Sequence, residues 1–398
     1  MNKKKILIVG TSYMNLTLSS NNRTNFLPQF LHNNGYDVEL ITSNFNHHTK
    51  ERILFPEKKD YKHTLINVPG YVKHVSFKRI RTIITYRRNL KRFLKTKGPV
   101  DVVYTFVPTH SVARITFRYA KRVGAKSVID IRDIWPEVFQ IVIKSKVLYK
   151  ILFFPFIKSA DKTYKSADFV IAVSETYRNR ARPKGNDSDV VYLGTSFSLV
   201  DNILKNNKRI KPSNEIWVTY AGTIGNSYKL ENLIKAYKII LDKGYSNIKL
   251  LIIGRGPLKN NLIKLDEKLE TKVKFIDRVP YDKMIEILQI SDIAINSLSK
   301  SAPQSIINKH MDYSAVGLPI INTQELPEYC NLVEEYQIGK NVDGSNLEEY
   351  ANTIIELSLN ENLRKKFGDN HRQLGEKLFD RDHNYNKIIN ILDNLIEK

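Results

Sequence analysis

The sequence predicts an α/β protein built from two doubly wound, Rossmann-like domains. Three observations carry this prediction. Short apolar, β-branched runs alternate with amphipathic segments along the whole chain, the pattern of parallel strands buried on both faces. The alternation falls into two series, separated by a polar, Asn- and Lys-rich stretch from Asp201 to Asn214 that holds Pro212. A length of 398 residues is ample for two cores of this kind.

In the first series, strands are expected at Lys5–Val9, Asp37–Thr42, Val100–Tyr104, Ser127–Asp130 and Phe169–Val173. Helices are expected between them, at Arg23–Asn33 and Ser111–Val123, from their 3.6-residue apolar period. The first strand follows Lys3-Lys4-Lys5, which gives the amino terminus the look of a secretory leader. Its apolar run is too short for one and no small-residue cleavage site follows, so it reads as a buried strand. In the second series, strands are expected at Ile216–Ala221, Ile248–Ile253, Val273–Ile276, Ile293–Asn296 and Pro319–Asn322, with helices at Leu230–Lys243 and Tyr281–Gln289. Asn384–Lys398 closes the sequence as an amphipathic helix.

Composition is that of a soluble globular enzyme, 42% hydrophobic and 26% charged. No apolar stretch approaches the length of a membrane span. The one cysteine, Cys330, excludes an internal disulfide and suits a reducing compartment. The net charge of +22 is unevenly placed: residues 1–195 hold 35 Lys/Arg against 14 Asp/Glu, and the remainder is nearly neutral. The first half is therefore expected to face something anionic. Two stretches concentrate the charge among apolar and aromatic residues, Lys78–Lys97 and Lys144–Lys165. Basic amphipathic helices of this type read as a membrane-surface patch, each cation adding about 1 kcal/mol near an anionic leaflet. The alternative is an ordinary amphipathic helix whose apolar face is core. Nucleic acid is not the expected partner, since no binding module is recognisable and the charge is confined to one half.

The run Ile216–Asn322 carries the chemistry. Tyr220-Ala221-Gly222-Thr223-Ile224-Gly225 and Leu250-Leu251-Ile252-Ile253-Gly254-Arg255-Gly256-Pro257-Leu258 each read as strand, glycine turn, helix. Such turns permit close backbone approach and aim a helix N-terminus at an anion. Asn308-Lys309-His310-Met311-Asp312-Tyr313-Ser314-Ala315-Val316-Gly317-Leu318-Pro319 then places a cation and a carboxylate one helical turn apart. Those parts suit a nucleoside diphosphate, with an acid for the ribose; the plainer alternative is a Lys309–Asp312 ion pair.

This order of parts resembles the donor half of the family 4 glycosyltransferases, which have the GT-B fold of two Rossmann-like domains facing across a cleft. The resemblance implies diphosphate contacts from Gly222, Thr223 and Lys229, and nucleotide contacts from Gly254 and Arg255. Gln304 and Asp312 match, in spacing, the family's two glutamates separated by seven residues. Asp312 is then the ribose ligand, and Gln304 lies near the donor sugar, keeping hydrogen bonding without charge. Thr223 stands where many relatives carry a basic residue. Lys309 before the acid, with Tyr313 after it, is similar to a branch that builds bacterial surface polysaccharides.

In the first half, Asp130-Ile131-Arg132-Asp133-Ile134-Trp135-Pro136-Glu137 resembles the Asp-x-Arg-Asp-x-Trp-Pro segment of that branch. It implies that Asp133 and Asp130 hold acceptor hydroxyls or assist deprotonation; the alternative is a buried Arg–Asp lattice. His110 matches a strand-end position of the same branch, with a plain helix N-terminal residue as the alternative. His47 and His48, and the polar loop Asn15–Asn22, are weaker candidates for the acceptor side. The implied layout is an acceptor-binding domain over residues 1–200, a linker at 201–214, a nucleotide-sugar domain over 215–382 and a C-terminal helix at 383–398 packing back on the first domain.

The implied activity is retaining transfer of a sugar from a nucleotide sugar, taken as UDP-linked, to a lipid-linked oligosaccharide in capsule, O-antigen or related polymer synthesis. The expected location is the inner face of the cell membrane, as a cytoplasmic, peripheral protein. No cofactor and no metal are expected; the acid pairs Asp187/Asp189 and Asp380/Asp382 lie in polar surroundings and read as loop. A nucleotide-sugar epimerase or hydrolase of the same fold is the competing reading.

Overall fold

The computed structural model describes residues 3–11, 22–47, 49–56, 58–72, 76–107, 109–137, 143, 145–181, 187–299 and 305–397, with residue 146 described by its backbone alone. Gln304, His48, Lys144 and all but the last residue of the loop 15–22 lie outside the described residues.

In chain order the elements begin β1 (Lys5–Val9), α1 (Arg23–Asn33), β2 (Asp37–Ser43), β3 (Lys62–Ile66), α2 (Phe77–Thr96), β4 (Val102–Val107), α3 (His110–Val123), β5 (Lys126–Ile131), α4 (Lys146–Lys165), β6 (Phe169–Ala172), α5 (Glu175–Ala181) and β7 (Asp187–Val190). They continue as α6 (Phe197–Asn206), β8 (Ile216–Ala221), α7 (Leu230–Asp242), β9 (Ile248–Ile253), α8 (Lys259–Leu269), β10 (Lys274–Ile276), α9 (Tyr281–Gln289), β11 (Ile293–Asn296), α10 (Asn308–Val316) and β12 (Ile320–Asn322). The last are α11 (Pro327–Glu335), β13 (Gly339–Asn341), α12 (Leu347–Leu359), α13 (Glu361–Leu378), α14 (Arg381–Asn384) and α15 (Asn386–Glu397).

The chain forms two compact units: Met1–Leu193 with Tyr385–Lys398, and Gly194–Asn384. The first unit holds a parallel sheet in the order β3-β2-β1-β4-β5-β6-β7. Ile8 lies opposite both Leu40 and Tyr104 in register. One face packs on α1 and α15 through Leu27, Leu31, Ile388 and Leu392, and the other on α2 and α3 through Leu90, Leu94 and Val112. Cover on both faces is why the central strands are continuously apolar. Each such buried aliphatic side chain contributes about 1.5–3 kcal/mol. Ser76 and Ser145 cap α2 and α4, their hydroxyls accepting from the amides of Arg79 and Leu148.

The second unit holds a parallel sheet in the order β10-β9-β8-β11-β12-β13. Its core runs from Val218, Tyr220 and Ile252 to Leu233, Ile240 and Ile354. The residues expected as a linker begin inside α6, which packs on α9 within this unit. Phe197 and Val200 supply the apolar face that an Asn- and Lys-rich composition conceals.

Three strands were not expected from sequence: β3, β7 and β13. All three are outermost in their sheets and their residues are largely half-buried or exposed. A one-sided edge strand needs no apolar run. Asp187 and Asp189 thus belong to edge strand β7 rather than to a loop. Asp382 accepts hydrogen bonds from the Ser196 and Ser198 hydroxyls, each at 2.8 Å. No described helix is long and apolar enough to cross a membrane.

Candidate functional site

In the second unit, the turns after β8 and β9 lie against each other. The Gly222 amide donates to Ile253 O and the Gly254 amide to Ile276 O, each at 2.9 Å. These two N–H groups extend the β8–β9 and β9–β10 pairings at the carboxyl end of the sheet, so a phosphate contact at either glycine would not use its own amide. Both glycines also permit the close approach expected of them. A Cβ at Gly254 (φ 146°) would stand 1.8 Å from Gly222 O, and one at Gly256 would stand 1.9 Å from Ile224 O.

Beside this crossing lies Lys309, from the first turn of α10. A Cβ on Gly222 would meet Lys309 Cε and Nζ at 3.3 Å. The ammonium lies 3.8 Å from the ring centroid of Tyr220 and 4.1 Å from that of Tyr228. It is buried and has no hydrogen-bond partner among the described residues. Burial holds its pKa well below the usual lysine range. Two cation–π contacts, about 2 kcal/mol each at a desolvated site, offset part of the several kcal/mol that burying an ion costs. An anion beside it would hold the amine in its charged form.

Asp312, one turn on, goes elsewhere. Its Oδ1 accepts from the Tyr281 hydroxyl at 2.8 Å, and Thr195 and Tyr281 hydroxyls share a bond of 2.9 Å. Burial pushes the Asp312 carboxyl up to about 7, with Tyr281, Arg381 and Thr195 pulling it back. The Lys309–Asp312 pair considered from sequence does not form: the two side chains diverge to separate partners. Arg381 is fixed by its own Nη2, which donates to Gly194 O at 2.6 Å. Sequence reasoning missed Thr195, Tyr281 and Arg381, for which only tertiary contact gives a signal. Tyr220 and Tyr228, which bracket the glycine turn, were likewise not singled out as partners of Lys309.

The remaining donor candidates are solvent-facing. Lys229 is 53% exposed at its side chain and pairs with Glu231 at 3.4 Å. Thr223 and Arg255 are exposed, and Thr223 O accepts from the Tyr220 hydroxyl at 2.7 Å. Cys330 is half-buried and donates to Gln324 O at 2.8 Å.

In the first unit the two acids of the Asp-x-Arg-Asp segment have different fates. Asp130 is fully buried. Both its oxygens receive Arg23 Nη1 at 3.1 Å, and Oδ2 also takes the Tyr104 hydroxyl at 2.7 Å. Arg23 Nη2 reaches Val191 O and Tyr192 O, and its Nε donates to the Tyr385 hydroxyl at 2.9 Å. Burial is the largest single influence on Arg23 and works against its charge, but Asp130, Tyr385 and Tyr104 together outweigh it and hold the pKa above the ordinary range. Asp130 is therefore the anchor of a lattice shielded from solvent, the alternative weighed from sequence. Asp133 is only partly buried, and burial raises its pKa to about 6, with Arg132 and the Ile134 amide opposing. Arg132 stacks over Phe106 at 4.2 Å and donates to Thr24 Oγ1 at 2.6 Å. His110, at the start of α3, is buried and shares a 2.9 Å bond with the Tyr164 hydroxyl. Burial, with Arg180 and Arg114, holds its pKa to about 4, so it is a neutral hydrogen-bonding group at physiological pH. His47 bonds the Tyr71 hydroxyl.

Of the two acids in this segment, Asp133 is the one that is not fully buried and that burial brings toward neutral pH. If it takes the acceptor proton, activity rises with pH through about 6. A pH–rate profile of Asp133→Asn then loses that acidic limb, and an unchanged limb would exclude Asp133 as the base.

Two family models match the sequence: one described as glycosyl transferases group 1 over residues 201–374, the other as glycosyltransferase family 4 over residues 27–197. An uncharacterised glycosyltransferase of Methanocaldococcus jannaschii, MJ1069, is 28% identical over 221 residues, 54% of this chain and 56% of that protein. The capsular polysaccharide biosynthesis glycosyltransferase CapM of Staphylococcus aureus is 24% identical over 225 residues, 53% of this chain and 57% of that protein. The chain thus matches little more than half the length of these curated relatives. Among solved structures, Anabaena HepE in complex with UDP has the same fold, with a TM-score of 0.71 and 13% identity over 98% of this chain and all of that one.

Proposed function

This chain belongs to the family 4 glycosyltransferases, and on that premise we propose that it moves a sugar, with retention at the anomeric carbon, from a UDP-linked donor to a lipid-linked oligosaccharide of a capsule, O-antigen or related cell-surface polymer. The observation that carries the donor assignment is the buried, unpartnered Lys309 ammonium beside the glycine crossing. A diphosphate is the anion that such a pocket suits, and a structural neighbour was solved with UDP. The similarity to a capsular enzyme supports the polymer class.

In this reading Lys309 and the N-terminus of α7 take the charge that develops on the leaving diphosphate. Asp312, held in place by Tyr281, accepts from the ribose hydroxyls. Gln304 is assigned to the donor sugar. Asp133 and His110 orient the acceptor hydroxyl, and the leaving phosphate assists its deprotonation. The basic first unit suits a protein peripheral on the anionic inner face of the membrane.

Calorimetric titration with UDP, GDP and dTDP tests the donor site. Binding of UDP alone, lost in Asp312→Ala, is the expected result. Selective binding of another nucleotide would change the donor class, and no binding by any would overturn the site.

A further inference from the structure

Helices α2 and α4 lie on either side of α3, which packs against both. Each connects two parallel strands, α2 between β3 and β4 and α4 between β5 and β6, so both start at the carboxyl end of the sheet. Their exposed stripes follow one plan. On α2 the stripe reads Phe77, Ile80, Ile84 and then Arg88, Lys91, Lys95; on α4 it reads Val147, Ile151, Phe154 and then Lys158, Lys162, Lys165. All twelve side chains are exposed. Phe77 is 90% exposed, and Val147 and Ile151 are 69% and 68% exposed. Lys158 Nζ sits 5.1 Å from the Phe154 ring. Each stripe thus runs from three apolar residues at the carboxyl edge of the sheet to three cations behind them; beside the stripes α2 also exposes Lys78 and Arg81, and α4 exposes Leu148, Lys150, Leu152 and Phe156. That the same order recurs on two helices is not what burial in this unit's own core would produce. The core faces of both helices are occupied by other residues, Tyr86, Leu90 and Leu94 on α2 and Ala160 and Tyr164 on α4.

We propose that these two stripes form a bilayer-docking face, in which the apolar ends of α2 and α4 enter the headgroup–acyl boundary and the cations behind them lie on anionic headgroups. Seven helical residues span about 10 Å, which matches the roughly 5–10 Å depth of interfacial insertion. A second copy of the chain is a poor occupant, because a symmetric contact would set like cations against each other. Nucleic acid would use the cations and leave six large apolar side chains in water. The face lies at the edge where α3 presents His110 and where β5 leads into Asp133, so a membrane held there brings a lipid-linked acceptor to those residues. In that respect the inference rests on the proposed acceptor class.

Co-sedimentation of the full chain with vesicles of phosphatidylglycerol and phosphatidylcholine, and of phosphatidylcholine alone, tests it. Partition onto the mixed vesicles is expected, and the variant Ile80→Ser/Ile84→Ser/Ile151→Ser/Phe154→Ser should lose at least about tenfold of it. Lys158→Gln/Lys162→Gln/Lys165→Gln should lose the preference for anionic vesicles. UDP titration of the same variants should be unchanged, which separates failure of this face from failure of the donor site. No vesicle binding, or full binding by the serine variant, would overturn the proposal. So would a serine variant that sediments as monomer where the parent sediments as dimer, since the face would then serve self-association.

Discussion

Lys309→Met is expected to melt at a higher temperature than the parent and to lose nucleotide binding. The ammonium is buried against Tyr220 and Tyr228, with no oxygen to receive its protons among the described residues. Burial already drives the amine toward its neutral form, so an apolar chain of similar length removes the cost of a buried polar group without a hydrogen bond, and a gain of roughly 1–3 kcal/mol is expected. In a unit of this size that raises the melting temperature by several degrees. Binding moves in the opposite direction. A charge-assisted contact to phosphate is worth up to about 3 kcal/mol, so UDP affinity should fall by about a hundredfold. Thermal melting and calorimetric titration of the same preparation measure both effects. A variant that melts lower would mean that the ammonium is already compensated in the free protein, and the anion-site argument would fail.

Arg23→Met is expected to be the most damaging single change in the first unit. It leaves the Asp130 carboxylate fully buried with only the Tyr104 hydroxyl, and it removes the donor to Val191 O and Tyr192 O. Breaking one side of such a pair costs about 3–5 kcal/mol. Arg23→Met/Asp130→Leu removes the stranded charge as well and should recover at least about 1–2 kcal/mol of that loss. Urea denaturation of the two variants and the parent gives the coupling directly. If the second substitution added to the damage instead, Asp130 would not be the anchor described here.

The first-unit lattice also shows where the sequence stops being legible. In the segment from Asp130 to Asp133, alternation along a strand tells which residues share a face, and it leaves both acids equally good candidates for catalysis. Only the arrival of Arg23, from a helix distant in sequence, decides that Asp130 is structural and leaves Asp133 as the titrating group. The glycine turns behave alike. Their positions were legible, while their bonding was not: the Gly222 and Gly254 amides pair with neighbouring strands, and the buried amine beside them comes from Lys309 on another element. Tyr281, Thr195 and Arg381 around Asp312 had no local signature, because each lies on a different segment.

The sequence by itself determined the two α/β series, the central strands and the placing of Lys309 and Asp312 one helical turn apart, while the family entered through a resemblance of motifs. Those features are written in local periodicity and spacing, since a strand buried on both faces must be apolar throughout and a helix turn fixes which residues neighbour each other. Tertiary structure alone decided the edge strands and which ionisable groups are partnered. Edge strands are half in water and need no distinctive composition, and whether a buried charge is satisfied depends on groups that the chain brings together only on folding.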